Sequence, residues 1–111
     1  MYHSLFFYYR ASKRGIAWPS ENKQDSPNIF TGGKISWMYN WSPFKTDIAD
    51  IEFVPMLWST NKGHDGNQFY NQARGAKVVL GFNEPERSDQ ANMNPVETAP
   101  AWKQYIEPLR A

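Results

Sequence analysis

The sequence contains no cysteine and only two histidines, and these shortages exclude several kinds of functional site. Without cysteine the chain has no disulfide framework, no thiolate zinc site and no cysteine nucleophile. The two histidines, His3 and His64, lie too far apart in sequence to suggest a metal-binding pair. We therefore expect neither a metal ion nor any other cofactor.

An excess of one sign of charge is also missing, because 12 Lys and Arg stand against 11 Asp and Glu, for a net charge of +1. Binding to nucleic acids or to anionic membranes depends on clustered basic side chains that displace counterions. The charge balance therefore predicts no nucleic-acid partner and no membrane partner. Single-stranded nucleic acid held by aromatic side chains remains as an alternative.

No apolar run is long enough to cross a membrane, which takes about 20 residues. The aromatic run at 5–9 has no basic segment before it and no convincing small-residue cleavage site after it. We interpret residues 1–12 as a weak or damaged leader. The alternatives are a stray strand or a misplaced start codon.

Four apolar runs bounded by turn-forming residues predict β-strands at 14–18, 35–41, 51–58 and 76–82. The last run is the most continuously apolar, as in a strand that is buried on both faces. One helix is predicted at 66–74, closed by Gly75, and another at 95–109, capped by Asn94 but interrupted by Pro100. Strands that alternate with helices are typical of β/α units around a parallel sheet.

The length limits how many such units the chain can hold. A closed eight-stranded β/α barrel takes about 250 residues, or roughly 30 per unit, so this chain holds about four. We therefore predict an α/β chain that forms the N-terminal half of a (β/α)8 barrel, unless it is a small open α/β domain. Exposed sheet edges would then allow two copies to self-associate.

The predicted strand ends carry aromatic and polar side chains that suit a sugar polymer. In a β/α barrel the residues that act on a substrate follow the carboxyl ends of the strands. Tryptophan faces stack on pyranose rings, whereas amides and carboxylates bind hydroxyl groups. A single tryptophan is better explained by core packing, and we interpret Trp37 and Trp102 in that way. Recurrence at three strand ends makes a cleft as good an explanation as core packing, and its residues would be Trp18, Asn40, Trp41, Trp58, Asn83 and Glu84.

Glu84 directly follows the fourth predicted strand, between Asn83 and Pro85. A carboxylate is costly to bury without a partner, so it is expected in a solvated cleft or in an ion pair. In a cleft it can act as a general acid. The alternative is an ordinary loop carboxylate or a helix cap.

Six segments occur in an order that resembles a known family: 13–17 (KRGIA), 36–41 (SWMYNW), 52–58 (EFVPMLW), 75–85 (GAKVVLGFNEP), 90–95 (QANMNP) and 102–105 (WKQY). Together they resemble the fungal proteins of glycoside hydrolase family 128. The resemblance implies a β/α barrel that cleaves β-1,3-glucan with retention, outside the cell or in the cell wall. It also implies that Glu84 is the acid/base and that Asn83 binds the hydroxyl beside the reacting carbon. The glucan cleft would be lined by Trp18, Asn40, Trp41 and Trp58.

The chain departs from the family pattern at Ser59, where glycine is usual, and at Glu86, where aspartate is usual. Retention also needs a second carboxylate about 5 Å from the acid/base. The acids after Glu84 are too close to it in sequence or fall on the following helix: Glu86, Asp89, Glu97 and Glu107. We therefore predict that residues 13–111 are a truncated hydrolase domain without its nucleophile, inactive alone. The alternative is a non-catalytic β-1,3-glucan-binding protein.

Overall fold

A computed structural model of the chain describes residues 13–22, 26–30, 32 and 34–110. The leader predicted at 1–12 lies outside the described residues. The described chain is a small α/β structure with three short parallel strands, a 3-10 turn at Pro27–Phe30 between the first two, and the α-helices after the third. None of the helices in these residues is long and apolar enough to cross a membrane.

The sheet contains three parallel strands in sequence order, and a parallel sheet was predicted from strands that alternate with helices. Strand β1 is Gly15–Ala17, β2 is Trp37–Tyr39 and β3 is Glu52–Phe53. Met38 of β2 lies between Ile16 and Phe53 in the register. The parallel arrangement is confirmed, although each strand covers only part of the apolar run that predicted it.

The run at 76–82, predicted as a fourth strand, forms only a single parallel bridge, between Met56 and Leu80. The Leu80 N–H donates to the Pro55 carbonyl at 2.9 Å. If the parallel ladder continued, the N–H of residue 55 would donate to the Val78 carbonyl. Residue 55 is a proline, which has no N–H. Pairing therefore cannot extend in that direction, and four regular β/α units are not present in the described residues.

The expectation that the run at 76–82 is buried on both faces is wrong. None of its side chains is fully buried, and Val78 is 54% exposed. Val79 and Phe82 pack against the cluster around Phe69. Val78 precedes Val79 in an extended segment, so its side chain points to the opposite face and lies at the surface.

Helix α1 spans Gly66–Ala73 and confirms the first predicted helix. The Asp65 side chain accepts a hydrogen bond from the Asn67 N–H at 2.8 Å and caps the first turn. Gly75 has a φ of +84°, a left-handed conformation that glycine adopts without strain. The stop signal read from the sequence is thus the residue that ends the helix.

The second predicted helix is confirmed at its start and broken in its middle. Helix α2 spans Pro95–Ala101 and begins with a reciprocal capping box between Asn94 and Glu97. A π-helical turn, Trp102–Ile106, and a 3-10 turn, Glu107–Leu109, follow. Pro100 cannot donate a helical hydrogen bond, and its ring crowds the preceding turn, so the regular helix ends just after it.

Two tryptophans interpreted as packing residues lie on glycines. The Trp37 ring covers Gly15 so closely that a Cβ there would overlap it, and the Trp102 ring lies over Gly81 in the same manner. Only a residue without a side chain allows this approach. Trp37 is half-buried in this contact, whereas Trp102 is 42% exposed, so Trp102 lies at the surface and the core-packing interpretation is wrong for it.

The core consists of three neighbouring clusters that fix the strand ends relative to the helices. The first joins the chain after β3 to α1 and the π turn through Leu57, Phe69, Ala73 and Ile106. The second lies under the sheet around Met38, Ile48 and Ile51. The third contains Ala91, Met93 and Ala101, and Trp58 and Phe82 pack against it. The loop after the run at 76–82 is therefore anchored to the core.

Candidate functional site

A cleft of about 520 Å³ opens where the loops after β1, β2 and β3 meet the loop after the run at 76–82. The carboxyl ends of parallel strands lie along one edge of the sheet, so side chains that are distant in sequence converge there. Five of the six predicted site residues line this cleft: Asn40, Trp41, Trp58, Asn83 and Glu84. The predicted convergence of strand ends is therefore seen for these five.

Trp18 is the predicted site residue that the structure does not place in the cleft. Its indole is half-buried against the cluster around Met38, and its ring meets Phe30 edge to face, with centroids 5.7 Å apart. Its N–H also donates to the Tyr39 carbonyl at 3.0 Å, continuing the pairing of β1 with β2. In this position Trp18 supports the sheet from the side.

Two lining residues have left-handed backbones, Trp41 with φ 58° and Glu84 with φ 43°. This conformation is uncommon for residues with a side chain and costs about 1 to 3 kcal/mol each. Such strain concentrates at functional sites, where the surrounding structure holds it in place. At both positions the chain turns sharply as it leaves a strand end, and the side chain borders the cleft.

The Asn40 side chain is buried and bonds to its own loop on every side. Its Nδ2 donates to the Phe44 carbonyl at 2.8 Å and to the Thr46 Oγ1 at 3.0 Å. Its Oδ1 accepts from the N–H and the hydroxyl of Ser42, at 3.1 and 3.0 Å. These four bonds use the donors and acceptors of an amide in full. Asn40 therefore shapes the wall of the cleft that carries Trp41.

Aromatic rings form two pairs at the cleft. The Trp41 ring lies 4.7 Å from that of Tyr39, tilted by 59°. The Trp58 ring stacks on His64 with centroids 4.7 Å apart and planes 25° from parallel. Neighbours of this kind restrict the rotamers of both tryptophans, so their orientation is largely set before any ligand binds.

Glu84 is exposed and belongs to a short chain of charges. Its Oε1 lies 3.5 Å from Nη1 of Arg87, and Nη2 of Arg87 lies 2.7 Å from Oδ2 of Asp89. The Arg87 guanidinium holds the pKa of the Asp89 carboxyl below its usual value, mainly through that hydrogen bond. Because the shorter contact is with Asp89, the guanidinium is oriented chiefly by that carboxylate.

The loops that follow β3 and the run at 76–82 are bonded to each other. Ser59 is fully buried, and its hydroxyl donates to the Ala91 carbonyl at 3.0 Å. Asn61 donates from its side chain to the Asn92 carbonyl at 2.9 Å. The serine that departs from the family pattern thus ties the wall bearing Trp58 to the wall bearing Glu84.

The described residues contain no group of three or more His, Asp or Glu side chains that could hold a metal ion. The chemical groups available in the cleft are indole faces, amides, an imidazole, two hydroxyls and carboxylates. Such groups bind a neutral polyhydroxylated ring by stacking and hydrogen bonding.

Comparison with known proteins agrees with this chemistry. Residues 15–111 match the family described as glycosyl hydrolase catalytic core. The chain belongs to this family. Within the glycosyl hydrolase core family it is similar to alkali-sensitive linkage protein 1 of Schizosaccharomyces pombe, 35% identical over 105 residues. That match takes in 90% of this chain and 19% of the relative.

Solved structures similar to this chain belong to glycoside hydrolase family 128, which confirms the resemblance noted from the sequence. One is a curdlan-specific exo-β-1,3-glucanase of subgroup III from Blastomyces gilchristii in complex with glucose, 38% identical with a TM-score of 0.68. The match covers 86% of this chain and 41% of the Blastomyces gilchristii chain. Another is a subgroup I endo-β-1,3-glucanase from Amycolatopsis mediterranei in complex with laminaritriose and laminaribiose, 28% identical with a TM-score of 0.54 over 86% and 39% of the two chains. The chain thus spans less than half the length of these relatives.

Six further residues line the cleft and were missed by the sequence analysis: Pro19, Ser20, Glu21, Ser42, His64 and Gln90. The signal used to find candidates was a tryptophan, amide or carboxylate at a predicted strand end, and of these six only Pro19 and Ser42 come directly after a predicted strand. Glu21, two residues beyond Pro19, and Ser42, next to Trp41, were close enough to be found by extending that signal. His64 and Gln90 had no such signal, because their place depends on how the two loops fold back.

The stacking of His64 on Trp58 leads to a pH-dependent prediction. Partial burial lowers the pKa of His64 from its ordinary value of 6.5, so the folded chain binds this proton less readily than the unfolded chain. The free energy of unfolding should therefore fall as the pH drops below 6.5, and level off below the folded pKa. Tryptophan fluorescence should report the titration with a midpoint below 6.5.

The matched variant is His64→Gln, which keeps a planar polar side chain without the titration. We expect this variant to lack the pH-dependent change in tryptophan fluorescence. Its free energy of unfolding should also change less with pH in the range just below 6.5. A midpoint at or above 6.5, or a transition that persists in His64→Gln, would contradict the prediction.

Proposed function

We propose that this chain forms one side of the active-site cleft of a β-1,3-glucan hydrolase, with Glu84 as the acid/base. The observation that carries the proposal is that Glu84 borders the same cleft as Trp41 and Trp58, next to Asn83. The family relationship supports it, because two similar solved proteins are β-1,3-glucanases. The extracellular space or the cell wall is the proposed location.

Each wall of the cleft has a separate part in this proposal. The faces of Trp41 and Trp58 stack on glucose rings and exclude water from them. Asn83 bonds to a hydroxyl of the sugar nearest Glu84. Glu84 gives a proton to the departing glycosidic oxygen and later takes one from the attacking water.

The second carboxylate that retention requires is proposed to come from outside these 111 residues. Asp89 is paired with Arg87, and Glu97 closes the capping box of α2. The chain alone should then bind glucan without cleaving it. Glu21 is the carboxylate to exclude, because it borders the cleft with Glu84. Laminarin hydrolysis by this chain that disappears in Glu21→Gln would assign the second role to Glu21 and contradict the proposal.

The first experiment is to titrate the chain with laminaritriose and follow the fluorescence of the cleft tryptophans, with calorimetry as a second readout. We expect saturable binding, and a loss of about 10-fold or more in affinity for Trp58→Ala. That estimate takes about 25 cal/mol for each Å² of the indole face that a sugar ring would cover. Binding should survive Glu84→Gln, since the amide keeps the shape of the carboxylate.

Trp102→Ala is the matched control, because Trp102 is also a partly exposed tryptophan but lines a different groove. Its affinity for laminaritriose should equal that of the unsubstituted chain. No saturable binding by the unsubstituted chain, or equal losses in Trp58→Ala and Trp102→Ala, would overturn the proposal.

A further inference from the structure

The side chains of Asn83 and Gln90 are joined by a hydrogen bond inside the cleft. The Asn83 Nδ2 donates to the Gln90 Oε1 at 3.0 Å, and both side chains are partly buried. Gln90 comes seven residues after Asn83, at the far end of the loop that carries Glu84. The bond therefore joins the two ends of that loop.

This bond determines which atoms of Asn83 face a ligand. An amide has a carbonyl oxygen at one end and an NH2 group at the other, and a rotation by half a turn exchanges them. In the structure Gln90 presents its carbonyl oxygen, and the NH2 of Asn83 is turned toward it. The carbonyl oxygen and the second hydrogen of Asn83 are left for hydroxyl groups in the cleft.

The backbone of Gln90 is itself held on both sides. Its N–H donates to the Arg87 carbonyl at 3.1 Å, and its carbonyl accepts from the Lys62 Nζ at 2.8 Å. The same ammonium donates to the Ser88 carbonyl at 2.8 Å. Lys62 thus ties the loop after β3 to the loop bearing Gln90 through charge-assisted bonds.

The loop also closes on the residue that it positions. The Ala91 N–H donates to the Asn83 carbonyl at 3.2 Å, which brings Gln90 back beside Asn83. The Asn83 N–H donates in turn to the Trp58 carbonyl at 3.0 Å. Backbone and side chain of Asn83 are therefore fixed by three separate partners.

We propose that Gln90 is a positioning residue that holds the Asn83 amide in the one orientation that receives a sugar hydroxyl. The inference rests on the proposed function and adds to it a determinant of hydroxyl recognition. Gln90 does not itself need to touch the sugar. Its effect on binding passes through the amide of Asn83.

The test uses Gln90→Leu, which removes the acceptor at similar length, and Gln90→Glu, which keeps a side-chain oxygen there. Without ligand, the nitrogen-15 NMR resonances of the Asn83 side-chain amide should shift in Gln90→Leu and stay close to their original positions in Gln90→Glu. With laminaritriose, Gln90→Leu should lose about 3-fold to 10-fold in affinity, the size of one hydrogen bond. Gln90→Glu should recover most of that loss.

Two controls separate positioning from a general loss of structure. Gln68→Leu makes the same chemical change at an exposed position of α1 and should alter neither readout. In an Asn83→Ala background, Gln90→Leu should have no further effect on affinity, because nothing remains to be oriented. If Gln90→Leu lowers the affinity by the same factor in the Asn83→Ala background as in the unsubstituted chain, the positioning role is overturned.

The outcomes distinguish this inference from the proposed function. Failure of the unsubstituted chain to bind laminaritriose would overturn the proposed function and, with it, the role of Gln90 in sugar binding. Binding by the unsubstituted chain that is insensitive to Gln90→Leu, with unmoved Asn83 amide resonances, would overturn the inference alone. A coupled loss of affinity with shifted resonances would support both.

Discussion

Glu84→Gln is expected to lower the rate of β-1,3-glucan hydrolysis by about 10² to 10⁴-fold, the usual contribution of a general acid/base. The amide matches the carboxylate in shape but cannot give or take a proton at the glycosidic oxygen. Hydrolysis can be measured after residues 13–110 replace the matching segment of the Blastomyces gilchristii enzyme, which is 38% identical to this chain. The assay is the release of reducing sugar from curdlan.

The matched control is Glu86→Gln, because Glu86 is another exposed carboxylate of the same loop. It should change the rate by no more than a few fold. A dinitrophenyl leaving group departs without a proton. With a substrate that carries it, Glu84→Gln should therefore slow formation of the glycosyl-enzyme far less than it slows the cleavage of curdlan. Equal losses for Glu84→Gln and Glu86→Gln would argue against Glu84 as the acid/base.

Phe69→Ala is expected to lower the free energy of unfolding by about 3 to 5 kcal/mol, through lost burial and the cavity left behind. Phe69 is completely buried at the centre of the cluster with Leu57, Ala73 and Ile106. That cluster joins α1 to the π turn and to the chain after β3, so little can move in to fill the space. Urea denaturation followed by circular dichroism measures the change.

Two further variants keep the Phe69 prediction testable if Phe69→Ala does not fold. Phe69→Leu should cost less, about 1 to 1.5 kcal/mol, because most of the volume remains. Phe44→Ala makes the same truncation at a side chain that is 50% exposed and should cost much less than Phe69→Ala. A loss at Phe69 no larger than that at Phe44 would show that the cluster does not support the fold.

Local features of the sequence predicted the helices and the sheet well. Asn94 and Glu97 form the expected cap, and Gly75 ends α1, because capping depends on residues a few positions apart. The parallel sheet followed from the alternation of runs. The fourth strand was predicted to be longer than the single bridge that forms. The apolar content of 76–82 says nothing about the opposite segment, where Pro55 has no N–H to donate.

The candidate site shows the same division between local and distant information. Strand-end position correctly brought Trp41, Trp58 and Glu84 to one cleft, since parallel strands share an edge. It misplaced Trp18, whose side chain packs beside Phe30. A strand end determines where the backbone leaves the sheet, whereas the direction of the side chain depends on the neighbours that pack around it.

By itself, then, the sequence determined the family, the α/β class, the helix caps and the kinds of side chain that follow the strands. These depend on residue type and on spacing over a few positions. Only the tertiary structure decided that Gln90 meets Asn83, that His64 stacks on Trp58 and that Glu21 shares the cleft with Glu84. Such contacts depend on how loops close over the core, and bonds such as Ser59 to Ala91, 32 residues apart, set that closure.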